Sequence, residues 1–264
     1  MKKIIDYWKK MYELRYLCKH LVTIDLKNKY RRSKLGMLWT FFYPLCLSCI
    51  MGVVFSVALK VDILTYMPYV LSGIIFWDVV TYSFSGGGYS IIYMESFVRQ
   101  CNHPKTLYTL KSSIVTMINF SISFLSLLIW TVIGNYKVVP FALLFFPLIF
   151  IIYLLFSWGA TTIAGYTCVK YRDYPMMIPL ILQIVWYISP VFLKEEFFMT
   201  NEYIYLWFRI NPITHMLNLI RKPFLYGVSP SGNDFIVSMI FVLLIDLWAY
   251  FVNKKNERNI IFYL

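Results

Sequence analysis

Along its length the chain alternates long apolar runs with short stretches where Lys, Arg, Asp and Glu gather. A Lys, Arg or Asp at the centre of a bilayer costs roughly 2.5 to 3.5 kcal/mol on insertion scales, so charge-free runs mark candidate spans. Runs 35–59, 112–136, 138–168 and 174–193 stand out at once, 63–94 is interrupted only near Asp78 and its start, and 235–252 contains Asp246. Each approaches or exceeds the roughly 20 residues that a helix rising about 1.5 Å per residue needs to cross about 30 Å of hydrocarbon. The pattern predicts an all-α integral membrane protein with six transmembrane helices.

Residues 1–34 differ from the transmembrane domain that follows, 35–264, because they hold eleven Lys or Arg. That is too long and too charged for a cleavable signal segment. Ile4, Trp8, Met11, Tyr12 and Leu21 recur near helical spacing, while Lys2, Lys3, Lys9, Lys10 and Lys19 fall mostly elsewhere. This amphipathic pattern suits an interface helix lying flat on anionic headgroups, the alternative being a solvated basic arm. Between Lys194 and Asp234 the aromatics Phe197, Phe198, Tyr203, Tyr205, Trp207 and Phe208 cluster, and Pro212, Pro223 and Pro230 cut the stretch into pieces too short to span. Two short re-entrant helices, 203–211 and 214–226, are expected on the outer side before the last span; an interfacial aromatic belt is the simpler alternative.

Composition agrees with the pattern: 59% of the 264 residues are hydrophobic, 20% aromatic and only 14% charged, which a soluble fold could not bury. The positive charge fixes an expected orientation. The arm carries eleven Lys or Arg, the loop 95–111 three, 170–173 two and the tail after Val252 three, against six on the opposite side. Both termini are therefore expected in the cytoplasm, and the net charge of +12 reflects sidedness rather than nucleic-acid binding. The loops 97–109 and 169–175 are expected to form either helical stubs for docking or plain turns.

No glycine precedes a lysine, so the chain has no phosphate-binding G-x-x-x-x-G-K-[ST] loop. His20, His103 and His215 are widely separated, and the five cysteines, with Cys46 and Cys49 one helical turn apart, read as packing residues. No metal site, catalytic residue or cofactor is expected on this chain. Asp78 and Asp246 are the costly intramembrane carboxylates, either structural or part of a transport path. The Gly86-Gly87-Gly88 run would loosen its helix.

The segment 25–45, DLKNKYRRSKLGMLWTFFYPL, resembles the signature of the type-2 ABC exporter superfamily, specifically the membrane subunits that export bacterial O-antigen, capsule or teichoic acid. Asp25, Leu26, Tyr30, Arg31, Arg32, Ser33, Leu35, Gly36, Leu38, Trp39 and Pro44 fit it. Tyr171-Arg172-Asp173, then Pro179, Gln183, Trp186, Ser189 and Pro190, is similar to the family's Y-R-D loop and fifth span, and Asn211-Pro212 to its outer N-P. His103-Pro104 departs from the family's Phe-Pro.

The resemblance implies a homodimer in a bacterial inner membrane, driven by two copies of a separate ATPase that binds ATP and Mg, and moving an undecaprenyl-diphosphate-linked polysaccharide. Arg99, His103, Pro104, Lys105, Tyr171, Arg172 and Asp173 would then meet the ATPase. Tyr30, Arg31 and Arg32 would lie near lipid phosphate, which suits the multi-donor grip of arginine. Sugar rings stack on aromatic faces, so Trp39, Phe42, Tyr43, Tyr187, Tyr203, Tyr205 and Trp207, with Arg209, are the candidates to line a polysaccharide channel, each aromatic having a lipid-facing alternative. The rival readings are a membrane glycosyl- or acyltransferase using Asp78, Asp246 or His215, and an ion-coupled carrier.

Overall fold

The computed structural model describes residues 2–31, 33–101, 103–134, 138, 142–194, 202–257 and 259–264. Among these there is no strand, and five helices are long and apolar enough to cross a membrane. The arm is two helices, α1 (Lys2–Glu13) and α2 (Arg15–Tyr30), broken at Leu14. The bundle follows as α3 (Leu38–Leu59), α4 (Ile63–Thr81), the short α5 (Glu95–Gln100), α6 (Thr106–Ile133) and α7 (Ala142–Lys170). It closes with α8 (Tyr174–Ile188), α9 (Glu202–Ile210), α10 (Pro212–Arg221) and α11 (Gly232–Asn256).

Local chemistry explains the boundaries. Gly36 has φ +53°, which lets the chain turn sharply into α3, and its N–H donates to Ser33 Oγ at 3.1 Å. Asp62 caps α4 by accepting from Thr65 N, and Ser231 with Asp234 forms a reciprocal capping box at the start of α11. Past Thr81, α4 widens into a π-helical turn, Tyr82–Gly86, that reaches the triple glycine.

The most enclosed helix is α4, with 78% of its apolar window buried against 17% for α3 and for α11. It is the axis around which the others stand. Phe76, Phe120, Phe124, Tyr153 and Phe224 form a buried aromatic mesh joining α4, α6, α7 and the π-helical turn Lys222–Tyr226 that continues α10. Such ring contacts at about 5 Å add stabilisation beyond simple burial.

Several expected elements differ in the structure. The stretch 63–94 remains helical only to Gly88, then gives turns and a 3-10 segment over Ile92–Met94. The third apolar helix begins at Thr106 rather than near 112, because Lys111 can sit inside it against a carboxylate from α2. The fifth run, 174–193, is a helix of 15 residues, about 22 Å long and short of a full crossing. Pro190 holds Ser189 extended (φ −106°, ψ 151°) and stops it.

The arm does not form one flat helix. Tyr7 and Met11 meet Thr106, Asp25 meets Lys111 and Tyr30 meets Asn119, so the arm climbs alongside α6 from its first residue to its midpoint. The loop 169–175 contains no helical stub, only a three-residue turn between α7 and α8; the loop 97–109 holds the end of α5, an extended Cys101 and the first turn of α6. Two short helices occupy the stretch before the last apolar helix, α9 over Glu202–Ile210 and α10 over Pro212–Arg221, continued by a π-helical turn to Tyr226.

The tightest interlock lies on α4, where a Cβ on Gly73 would stand 2.1 Å from the Val191 carbonyl oxygen, a backbone atom. Gly73→Ala is expected to lower the unfolding midpoint of the detergent-solubilised protein, at a cost of about 1–3 kcal/mol. Gly86→Ala, whose Cβ would meet nothing nearer than Tyr82 Cδ1 at 3.8 Å, is the matched control and should leave the midpoint unchanged or higher.

Candidate functional site

The site is built where the arm enters the bundle. Asp25 on α2 pairs with Lys111 Nζ at 2.6 Å, and that lysine side chain is only 4% exposed. One helical turn further, the Tyr30 hydroxyl donates to Asn119 Oδ1 at 2.8 Å and lies 2.6 Å from Thr40 Oγ1; Ser123 Oγ donates to the Thr40 carbonyl at 2.9 Å. These bonds fasten the end of α2 and the start of α3 to the middle of α6.

Between them opens a cavity of about 290 Å³, lined by Lys29, Trp39, Tyr43, Asp78, Tyr82 and Asn119 among others. Lys29 Nζ stands 5.0 Å over the Tyr82 ring and 5.3 Å over Tyr30, both within reach of a cation–π attraction. Arg31 is exposed at the end of α2, and Arg32 lies outside the described residues.

The other end of the bundle is organised by Arg221, which is 2% exposed. Its Nη1 donates to the Pro190 carbonyl at 2.7 Å and its Nη2 to the Val191 carbonyl at 2.7 Å and the Tyr69 carbonyl at 3.3 Å; Nε reaches Ser72 Oγ at 3.2 Å. The guanidinium stacks 3.7 Å over the Tyr69 ring. Tyr66 and Tyr69 add hydroxyl bonds to the carbonyls of Phe192, Pro190 and Leu193. The backbone that leaves α8 is thereby satisfied by α4 and α10, as an unpaired carbonyl in a bilayer requires.

Beside it His215 bridges α9 to α11. Its Nδ1 lies 2.9 Å from Asp234 Oδ1 and its Nε2 2.9 Å from the Arg209 carbonyl, while Lys222 Nζ holds the other Asp234 oxygen at 2.5 Å. Both ring nitrogens are occupied by structural partners, which leaves no free base there. Asp246 lies directly against Gly159, whose Cβ would come within 2.3 Å of Oδ1, so it marks the close approach of α7 and α11.

The residues expected to meet an ATPase gather at the end of the bundle where the arm begins. Val98 on α5, Val169 at the end of α7, Leu21 on α2 and Ile260 in the tail share one apolar cluster. Arg99 is exposed and pairs with Glu95 at 2.8 Å; Tyr171, Arg172 and Asp173 are all exposed. His103 is half-buried and Pro104 buried. Lys105 points inward, with Nζ 3.4 Å from the Val98 carbonyl, and burial lowers its pKa against the pull of Glu257. Nearby, Tyr7 Oη bonds Thr106, and burial pushes it up to about 12, so it remains a neutral phenol. Tyr166 and Asn253 extend that network to α7 and α11.

The candidate channel aromatics divide into two groups. Trp39, Phe42 and Tyr43 are exposed on the first turns of α3, with Trp39 and Tyr43 lining the cavity. Tyr187, Tyr203, Trp207 and Arg209 are exposed at the other end and Tyr205 is half-buried there; Trp207 Nε1 donates to the Ile188 carbonyl beside Tyr187. Arg221, Asn119 and Tyr69 are organising residues that sequence reasoning did not single out. Arg221 carried a usable signal, since it is a cation flanked by Leu219, Ile220 and Phe224 at helical spacing. Among the described residues no three His, Cys, Asp or Glu side chains come together as a metal site.

Comparison with known proteins adds a family. The family described as ABC-2 type transporter matches residues 16–225, most of the chain. An O-antigen export system permease protein of Myxococcus xanthus is 23% identical over 253 residues, covering 94% of this chain and 96% of that protein. A permease protein of the same description from Klebsiella pneumoniae is 24% identical over 253 residues, covering 95% and 97%.

Replacing Arg221 with Met should cost about 2–3 kcal/mol, because it removes charge-assisted bonds and strands buried carbonyls. Arg221→Lys should restore less than half of that, since one ammonium cannot reproduce the planar fork to Pro190 and Val191. Denaturation of the solubilised protein measures both, and equal stability of the Lys variant and the native chain would refute the network as described.

Proposed function

The chain belongs to the ABC-2 type transporter family, and from that membership we propose that it is the membrane half of an ATP-driven exporter that carries a lipid-linked polysaccharide to the outer face of a bacterial inner membrane. The relatives are named as O-antigen export permeases, and the match runs along nearly the whole of each. Two copies of the chain would form the conduit, and two copies of a separate ATPase would bind ATP and Mg. The carrier lipid would be an undecaprenyl diphosphate.

One observation carries the assignment best. The turn Tyr171–Asp173 is exposed at the same end as α5 and its Arg99, so the bundle presents a polar, structured surface there. A membrane subunit that receives force needs such rigid contacts, and Tyr174 supplies the link inward. Its hydroxyl donates at 2.9 Å to the Phe84 carbonyl, inside the π-helical turn of α4. A push on the turn is thus delivered to the central helix.

The orientation follows the distribution of Lys and Arg, with the arm, α5, the 171–173 turn and the tail on the cytoplasmic side. Helices α9 and α10 would re-enter the outer leaflet, α10 being the buried member of the pair with Met216, Leu217, Leu219 and Ile220 fully enclosed. Arg31 and Arg32 would contact lipid phosphate, and the exposed aromatics at both ends would give a sliding glycan chain stacking surfaces. His215 is taken up by structural partners and Asp246 lies in the α7–α11 contact, which leaves Asp78 as the residue on which an enzyme or an ion-coupled carrier would have to rely.

The test is assembly and transport with a partner ABC ATPase. The pair is expected to co-purify and to export polysaccharide only with hydrolysable ATP. Arg172→Glu together with Asp173→Lys should reduce co-purification at least tenfold while the permease stays folded. Wild-type chain that exports without any ATPase, or a labelled cysteine at position 172 that reacts only from outside, would defeat the proposal.

A further inference from the structure

The mid-bundle cavity has a chemistry that the fold does not use. Asp78 sits about fifteen residues into α4, where an ionisable group is costly and normally serves a partner. Among the described residues its carboxylate makes no hydrogen bond and no ion pair within 4.0 Å. It opens instead onto the cavity, whose other polar lining includes Asn119, Thr40 and Ser123. Lys29 is the cation of the same cavity, standing over the Tyr30 and Tyr82 rings, beyond ion-pair distance of the carboxylate but within its electrostatic reach.

An acceptor left open at the floor, flat rings on the walls and one cation at the exposed edge together describe a particular guest. Aromatic faces take the apolar face of a ring, a carboxylate takes hydroxyl donors, and an ammonium takes an anionic oxygen. The volume, about 290 Å³, is at the lower end of ligand pockets and suits one or two rings, not a folded polymer.

We propose that this cavity binds a sugar ring bearing a phosphate: the first sugar of the lipid-linked glycan, stacked among Trp39, Tyr43 and Tyr82, with its hydroxyls donating to Asp78 and its phosphate against Lys29. This rests on the exporter reading and adds a selection step to it. The site distinguishes a loaded carrier lipid from a bare one, since only the loaded lipid answers Asp78. Tyr30 closes the cavity from the arm side, so the tether between α2 and α6 also shapes the pocket.

The experiment uses the full chain with its ATPase in nanodiscs and two probes: a polyprenyl diphosphate carrying one N-acetylhexosamine, and the same polyprenyl diphosphate without sugar. The native complex should bind the sugar-bearing lipid about tenfold more tightly, the worth of one or two hydrogen bonds to a charged group. Asp78→Asn and Tyr82→Leu should each erase most of that preference, Asp78→Glu should keep part of it, and Lys29→Ala should weaken both lipids together. Should Asp78→Asn fail to fold, the Tyr82→Leu result decides alone. Equal binding of the two lipids by the native complex, or full preference in a folded Asp78→Asn or Tyr82→Leu complex, overturns the pocket while leaving export intact. Failure of both lipids to bind a complex that hydrolyses ATP overturns the pocket and the exporter reading together.

Discussion

A bilayer offers no water to a broken helix or a stranded charge, and the whole of this bundle is arranged around that scarcity. Where α8 stops short at Ser189, its carbonyls are answered by Arg221 and by the tyrosines of α4. Where a lysine falls inside α6, a carboxylate on α2 arrives to meet it. Remove either answer and the helices on both sides lose the reason for their position. The central placement of α4 follows, because Tyr66, Tyr69, Ser72 and Gly73 together form the surface against which the interrupted segment and its arginine close.

The same constraint divides what could be read from the chain alone from what could not. Charge-free runs identify helices because hydrocarbon excludes charge, and among the described residues each of those runs contains a helix. Their edges were less legible, since a rule that ends a span at Lys111 cannot know that Asp25, 86 residues earlier, will neutralise it. The short α8 was overextended for a related reason: apolar residues continue to Leu193, and only the proline backbone marks the stop. Of the site, Tyr30, Trp39 and Tyr43 were legible through the motif around them. Asn119 and the cavity itself were not, because they arise when α2, α3, α4 and α6 converge, and no local pattern encodes that meeting.

The two ends of the bundle are built on different principles. The end with the arm is a web of hydroxyls and amides, Tyr7 with Thr106 and Asn253, and Tyr166 with Asn253, in which no single bond dominates. The opposite end is concentrated on one guanidinium and one carboxylate, Arg221 and Asp234. A distributed web tolerates displacement of any member, whereas a concentrated node holds a fixed shape. The Tyr174 bond to the Phe84 carbonyl runs from the first region into the π-helical turn, a place where the helix is already wider than standard.

Chain order gives the Arg221 node a further meaning for biogenesis. Its acceptors, at Tyr69, Ser72, Pro190 and Val191, all precede it, so a ribosome has made every one of them before the guanidinium leaves the exit tunnel. The earlier segments can be threaded into lipid but cannot lock, because the closing part is synthesised after everything it binds. A nascent chain that stalls before residue 221 is left with an unlatched break in α8, a visible mark of incompleteness for the quality-control proteases of the membrane.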